Sequence, residues 1–380
     1  MKKKIKILGS GPTGALLALF LASEKNDVVL VEPLSDLELS LKDKGYAITQ
    51  STRKILNDIG LWSTMQNFAS GFNSLSIIDD ELSQSVILRT NDLKHFNKDQ
   101  TSIGWVIEHK YFMKVLINAI NKNKFIHKFN FDSTNDKDFD FILAADGRDS
   151  SARESWKIIY LKRFYSQRCI SFRAVLKGVP TKRAYEIFRH EGPLALLPLD
   201  NNIYQVIWFA SLSATQSKLQ MSEYELLELL ENILPDQIKP VSIVSGISNY
   251  SVAQAFALPK FGKFTNILVG DASHSFHPVG GQGLNSCIRD VFELNMMIKN
   301  YQNSFIIFRK LFSLHYFLKR SIDILSLIIF TDVLIRIFSN KNILFYPFRF
   351  LIFYMLRKIN VLRVNIFSLM TDSLKSHKYN

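Results

Sequence analysis

The sequence predicts an α/β protein: a Rossmann-like dinucleotide-binding domain, an antiparallel sheet interleaved with it, and a helical C-terminal region. Three observations carry this expectation. First, a short apolar strand, Ile5 to Leu8, runs into Gly9-Ser10-Gly11-Pro12-Thr13-Gly14 and then a helical stretch from Ala15 to Ser23. Second, the same order returns late in the chain, where the apolar strand 266–269 meets the glycine-bearing loop 270–285 and a helix over 286–299. Third, residues 169–211 have the texture of long alternating strands. A chain of 380 residues suggests two intimately joined domains rather than one.

The N-terminal block is a G-x-G-x-x-G turn between a strand and a helix, followed by a second strand, Val28 to Val31, that ends on Glu32. Gly9, Gly11 and Gly14 permit a tight turn and close backbone approach to a pyrophosphate, and an acid about 20 residues on meets a ribose hydroxyl. An acid rather than a base suits an unphosphorylated ribose, so FAD or NAD is favoured over NADP here. The lysine-rich start followed by an apolar strand imitates a signal peptide, but Gly9, Gly11 and Gly14 interrupt the apolar run.

Residues 43–53 lead into a helix ending near Gly60, and 74–89 reads as alternating strands. Gly104 to His109 is a strand feeding a helix over 110–121. Phe139 to Ala145 is a buried strand ending in a polar loop with the pattern Asp-Gly-x-x-Ser-x-x-Arg, met by Asp146, Gly147, Ser150 and Arg153. The antiparallel region then offers strands over 169–176, 185–190, 194–198 and 203–209, with Asp200-Asn201-Asn202 as a hairpin turn. A helix over 222–233 and a strand over 241–248 return the chain to the late glycine loop.

That loop is Gly270-Asp271-Ala272-Ser273-His274-Ser275-Phe276-His277-Pro278-Val279-Gly280-Gly281-Gln282-Gly283-Leu284-Asn285. Its helix start would offer unpaired N–H groups and the positive end of a dipole to an anion or electron-rich ring. Free histidine titrates near neutrality, which makes His274 and His277 candidates for handling a substrate proton.

The net charge of +13 is uneven: beyond residue 300, twelve Lys/Arg face three Asp, a net +9. This tail is greasy, aromatic and helical, yet Asp332, Arg336, Lys341, Arg349 and Arg357 break every apolar run short of a spanning helix. Basic residues interleaved with Phe and Tyr suit a helix lying on an anionic membrane surface, and packing on the protein body is the equal alternative. No nucleic-acid recognition motif, metal-ligand spacing or nucleophile elbow accompanies it. Two cysteines, Cys169 and Cys287, fit a reducing compartment, so a cytoplasmic protein held peripherally on the membrane is expected.

The three blocks, in this order, resemble the fingerprints of the FAD-dependent aromatic-ring hydroxylases, class A flavoprotein monooxygenases, in particular the ubiquinone-biosynthesis hydroxylases. The resemblance implies an FAD-binding domain in two parts, 1–168 (interleaved with substrate-domain strands near 74–107) and 261–300. It implies an antiparallel-sheet substrate domain over 169–260 and a basic, membrane-associating helical region over 301–380. FAD would be held by Gly9, Gly11, Pro12, Thr13, Gly14, Glu32, Lys44, Asp146, Gly147, Gly270, Asp271, Gly281, Gln282, Gly283, Leu284 and Asn285, with Asp271 on the ribityl chain. Lys44 stands where the family usually carries an Arg, and a Lys lacks Arg's bidentate fork for phosphate; Arg53 is a candidate substitute, with a solvated surface residue the equal alternative, and the resemblance also implies Glu108 and His109 as candidate cofactor neighbours.

The catalytic region implied is His277, Pro278, Gly281 and Leu284, and the substrate pocket Leu196, Leu197, Pro198 and Trp208. The reaction implied is hydroxylation of a prenylated aromatic quinone precursor with O2 and NADPH or NADH. Isoprenoid reduction or cyclisation on the same scaffold, and a non-catalytic flavin-binding subunit of a quinone-biosynthesis assembly, remain as alternatives.

Overall fold

The apolar strands of the nucleotide-binding half form a five-stranded parallel sheet in the order Asn266–Leu268, Phe141–Ala144, Lys4–Leu8, Asp27–Val31, Ile126–Phe129. Ile5, Ile7, Val28, Leu30 and Leu143 are fully buried, as expected of strands covered on both faces. The helix Pro12–Ser23 has ten consecutive buried residues, Thr13 to Ala22, and packs against the helices His109–Asn121 and Gln282–Lys299. A helix apolar all round belongs inside a core, and Pro12 at its first turn gives up an N–H that has no helical acceptor anyway. The computed structural model describes residues 2–93, 101–200, 202–259, 265–301 and 311–364. Asn201 of the expected hairpin turn, and 302–310 and 365–380 of the C-terminal region, lie outside the described residues.

The second sheet is larger. Its main path runs His274–Ser275, Ser248–Ala257, Tyr160–Lys177, Ile203–Ser211, Leu194–Asp200, Arg183–Phe188, Ser74–Asp79, Gln84–Arg89, with Lys239–Ile243 pairing on Tyr160–Lys177. All pairs are antiparallel except Arg183–Phe188 with Ser74–Asp79. The strand expected over 169–176 in fact begins at Tyr160, and the strand expected over 241–248 divides into Lys239–Ile243 and Ser248–Ala257. The longer elements form because Tyr160–Phe164 pairs with Ala253–Ala257, a tertiary match that local composition does not announce. A small third sheet, Gly45–Ile48, Gly104–Glu108 and Ala69–Phe72, stands between the two.

One face of the large sheet carries Ile170, Phe172, Leu194, Leu196, Val206 and Trp208, sealed by the helix Glu223–Glu231 through Leu226 and Leu230. The other face turns toward the small sheet and the late glycine loop. That loop is built into both halves, since Asn266–Leu268 enters from the parallel sheet and His274–Ser275 adds to the edge of the large one.

Two C-terminal helices, Phe312–Phe338 and Tyr346–Lys358, pack onto the body. Ile335, Phe338, Phe353 and Leu356 join Phe72, Ile77, Val86, Leu88 and Ile103 in one apolar cluster. Arg349 is buried completely and donates Nε to Asp79 Oδ2 at 2.7 Å, which fixes the helix Tyr346–Lys358 to the end of a sheet strand. Among the described residues no helix is long and apolar enough to cross a membrane.

Candidate functional site

Several chain segments meet at one cleft of about 1720 Å³, part of it open to solvent. From the first glycine turn it is lined by Gly9, Gly11, Pro12 and Thr13, from the second strand by Glu32, and from the middle block by Asp146, Gly147 and Arg148. Asp271, Pro278, Gly281, Gly283 and Leu284 come from the late loop, and Lys42, Lys44 and Tyr46 from the approach to the small sheet.

The glycines divide into two physical kinds. A Cβ on Gly14 would stand 1.9 Å from the Gly9 oxygen, and one on Gly9 would meet the Ala145 oxygen at 2.7 Å, so both are demanded by packing of the turn itself. A Cβ on Gly11 or Gly283 would meet nothing within 4 Å, and neither has a positive φ. Their lack of a side chain leaves room in the cleft for something outside the protein.

The helices Pro12–Ser23 and Gln282–Lys299 both begin at this cleft, and neither has a side-chain N-cap. Their first-turn N–H groups have no intrahelical acceptors and suit a phosphate or an electron-rich ring. Glu32 fixes the turn by accepting from Ser10 N at 2.7 Å and Leu34 N at 3.0 Å, and its remaining lone pairs face the cleft. Asp146 Oδ2 accepts from Ala152 N at 3.0 Å, while its Oδ1 is buried with no hydrogen-bond partner among the described residues. Such an oxygen wants a donor.

Lys42, Lys44 and Arg148 give one wall positive charge. Lys44 is open to the solvent of the cleft yet crowded by its walls, which lowers its pKa, and the charge of Asp271 works in the opposite sense. Glycine cradles, open helix starts, carboxylates for hydroxyls and a basic wall together fit FAD. Arg153, in the middle block, donates to the Ala272 oxygen at 2.9 Å and the Arg148 oxygen at 2.9 Å, fastening that block to the late loop.

Several expected site residues lie behind the cleft. Gly14, Gly270, Gln282 and Asn285 do not line it. Gly270 sits at φ +64 with its N–H on Asp290, and Asn285 spends its side chain on Thr49, Thr52, Ala47 and Gly281, binding the helix start to the small sheet. Glu108 pairs with Arg173, and His109 is held between the Tyr46 hydroxyl and the Leu39 oxygen, so both support the cleft from one layer back. Arg53 stacks on Trp105 and does not take over from Lys44, which itself lines the cleft.

His277 corrects an expectation. It is fully buried between Tyr165 and Phe209, lines neither the cleft nor its neighbouring pocket, accepts from Val279 N at Nδ1 and faces Gln167 Oε1 with Nε2. Burial pushes its pKa down to about 3. A neutral imidazole with both nitrogens engaged moves no phenol proton. His274 is equally buried, with Nε2 2.6 Å from Asp290 Oδ2.

Beside the cleft lies a largely apolar pocket of about 750 Å³, part of it open to solvent, that shares Ala47, Leu197, Ile207, Pro278 and Gly281 with it. Its other walls include Ile48, Phe72, Leu75, Ile103, Ala195, Phe209 and Val279. Of the four expected pocket residues only Leu197 is here. Leu196 and Trp208 point to the opposite face of the sheet, into the core under the helix Glu223–Glu231, and Pro198 is buried away from both cavities. Side chains alternate along a strand, so the pocket face of this one carries Ile207 and Phe209, and the Trp208 implied by the resemblance lies on the wrong face. Tyr46, Arg148, Ile207 and Phe209 are site residues that the sequence reading had not assigned.

The chain matches the model of the FAD binding domain family over residues 2–101 and 128–302. It belongs to the FAD-dependent aromatic-ring hydroxylases and lies near the ubiquinone-biosynthesis hydroxylases. The protein is thus an FAD-dependent monooxygenase. It is 24% identical over 324 residues to the 3-demethoxyubiquinol 3-hydroxylase of Escherichia coli, covering 78% of this chain and 80% of that one. With the ubiquinone biosynthesis monooxygenase of Dictyostelium discoideum it shares 21% identity over 376 residues, 78% of this chain and 76% of the other. The crystal structure of p-nitrophenol 4-monooxygenase from Pseudomonas putida superposes with a TM-score of 0.76 at 18% identity, covering 96% of each chain.

The two kinds of glycine make different predictions. Gly11→Val should fold but hold FAD at least roughly tenfold more weakly, about 1.4 kcal/mol, as read from flavin content and fluorescence quenching. Gly14→Val should fail to fold at all.

For His277 the folded pKa lies below the unfolded value near 6.5, so the unfolded chain binds the proton first as pH falls. Its contribution to stability is complete above about pH 6.5 and is lost as pH falls toward 3. Urea unfolding from pH 6.5 to 4 should show wild type declining more steeply than His277→Asn, by up to about 1.4 kcal/mol per pH unit.

Proposed function

We propose that the protein hydroxylates a prenylated phenol on the way to a quinone, taking oxygen from O2 and electrons from NADPH or NADH. The observation that carries this reading is the apolar pocket opening beside the glycine loop, with Pro278 and Gly281 common to pocket and cleft. The names of relatives that act in ubiquinone biosynthesis support the substrate class.

Bound FAD supplies the redox chemistry and the activation of oxygen. The protein's own residues shape the rest. Leu197, Ile207, Phe209, Phe72 and Ile103 hold an aromatic ring by fit and keep water away from the reacting centre. Pro278 and Gly281 set the boundary between ring and cofactor, and the open first turn of Gln282–Lys299 stabilises negative charge developing on the cofactor side. No histidine is required to move the phenol proton.

The helix Tyr346–Lys358 favours a lipid-soluble substrate. Phe348, Phe350, Leu351 and Tyr354 are exposed along Tyr346–Lys358, with Arg357 and Lys358 in its final turn. The inner face of the same helix packs through Phe353 and Leu356 onto the cluster that includes the pocket residues Phe72 and Ile103. This helix attaches the enzyme peripherally to an anionic membrane, with each basic residue adding about 1 kcal/mol at low salt.

With labelled O2 and 2-prenylphenol, wild type should insert one labelled atom per NADPH or NADH consumed. Leu197→Trp should fill the pocket and uncouple the reaction, so that the reductant is still oxidised but hydrogen peroxide replaces product. Transfer of hydride to isoprenoid double bonds with no label incorporated would replace the monooxygenase reading by the reductase alternative. In a second measurement, the full chain should sediment with vesicles containing phosphatidylserine and be released by salt, and Phe350→Ser/Leu351→Ser should weaken sedimentation. Equal, salt-insensitive binding to neutral vesicles would contradict electrostatic attachment.

A further inference from the structure

The pocket beside the cleft is largely apolar and carries one charged side chain among its described lining residues. Glu186 lies in the middle of the strand Arg183–Phe188, opposite Ala195 on one neighbouring strand and Ile77 on the other. It is 6% exposed, it lines the pocket, and its Oε1 is buried with no hydrogen-bond partner among the described residues. A carboxyl group in such a place is costly, because an unpaired buried acceptor forfeits its hydration without replacement.

The surroundings leave space at this point. Ala184 and Ala195 are the small residues flanking Glu186 in the pocket wall. Two side-chain hydroxyls come from the lining residues: that of Thr49 is spent on Asn285, Ser51 and Thr52, and Tyr185, next to Glu186 on the same strand, packs in the core on the opposite face of the sheet. No other charged side chain lines the pocket, and the nearby carboxylate of Asp79 is taken by Arg349. Burial alone raises the Glu186 pKa to about 8. Near neutral pH its carboxyl is therefore largely protonated, able to donate one hydrogen bond and accept another.

We propose that Glu186 is the polar anchor of the substrate pocket, binding the hydroxyl group of the aromatic substrate and so setting which edge of the ring faces the cleft. The proposal rests on the prenyl-phenol reading of the pocket and adds to it the residue that recognises the phenol. Shape alone holds an apolar ring in several rotations. One hydrogen bond at a fixed point selects among them, because the orphaned oxygen is satisfied in only one.

The test compares 2-prenylphenol with 2-prenylanisole, its methyl ether, in titrations of the oxidised, FAD-loaded enzyme followed by the change in flavin absorbance. Wild type should bind the phenol roughly tenfold more tightly than the ether, the worth of one buried hydrogen bond. Glu186→Leu should bring the two dissociation constants together, chiefly by weakening the phenol. Glu186→Gln keeps a donor and an acceptor at the same place and should retain most of the preference. FAD content confirms that each variant is folded. A preference that survives unchanged in Glu186→Leu, or that is absent from wild type while both compounds bind, overturns the anchor and leaves the pocket reading intact. If neither compound perturbs the wild-type flavin, the prenyl-phenol reading falls and the anchor with it.

Discussion

The structure depends on one buried carboxylate. Asp290, on the helix Gln282–Lys299, accepts from Gly270 N at 3.0 Å and lies 2.6 Å from His274 Nε2 with the same oxygen, while its other oxygen accepts from Arg320 Nε at 2.6 Å. It thereby ties the beginning of the glycine loop to the helix that ends it, and ties both to the long C-terminal helix. Burial alone would raise this carboxyl, but His274 and Arg320 hold it below the usual carboxylate range. Arg320 reaches on to Asp323, which Arg289 also engages, so charge balances charge over two helices. Removing one member of such a group strands the others in a low-dielectric core, which is how a short loop between two sheets keeps one shape.

With the loop fixed, two chemically different spaces lie side by side and share Pro278 and Gly281. The cleft has carboxylates, a basic wall and two uncapped helix starts, and the pocket has aliphatic and aromatic walls with a single acid. The contrast follows from where backbone is exposed. Turns and helix starts carry unsatisfied N–H groups, whereas the inner face of a sheet has spent its backbone groups on neighbouring strands and offers side chains alone.

The cleft was more legible in the sequence than the pocket for the same reason. Glycine turns, Glu32 and the Asp146 and Asp271 blocks are contiguous motifs whose residue types are dictated locally, and they stand where the spacing placed them. Pocket residues are selected by strand phase, which one bulge or one misjudged aromatic reverses. Trp208 was implied by the resemblance, yet it is 0% exposed and packs with Leu196 in the other core, with Lys218 over its ring. Glu186 did carry a signal, an acid between Tyr185 and Ile187 in a strand of otherwise apolar texture, but only the register with Ala195 and Ile77 shows that it faces a cavity. His277 looked reactive in a list of residues and is inert in place, because three-dimensional burial has no one-dimensional signature.

The parallel pairing of Ser74–Asp79 with Arg183–Phe188 bears on how the molecule is made. The partners Ser74 and Arg183 are separated by 109 positions. At about 5–20 residues per second, a ribosome takes roughly 5–20 seconds to supply the second strand after the first. During that interval the hairpin of Ser74–Asp79 and Gln84–Arg89 keeps an open edge, and its apolar face with Ile77, Val86 and Leu88 has the neighbouring Phe72, Ile103 and Val106 but still lacks Ala184, Phe188 and the C-terminal helices. The interleaving that brings both halves of the chain to one reaction site therefore also creates a nascent stretch prone to wrong pairing, and makes early shielding of this hairpin a condition of efficient synthesis.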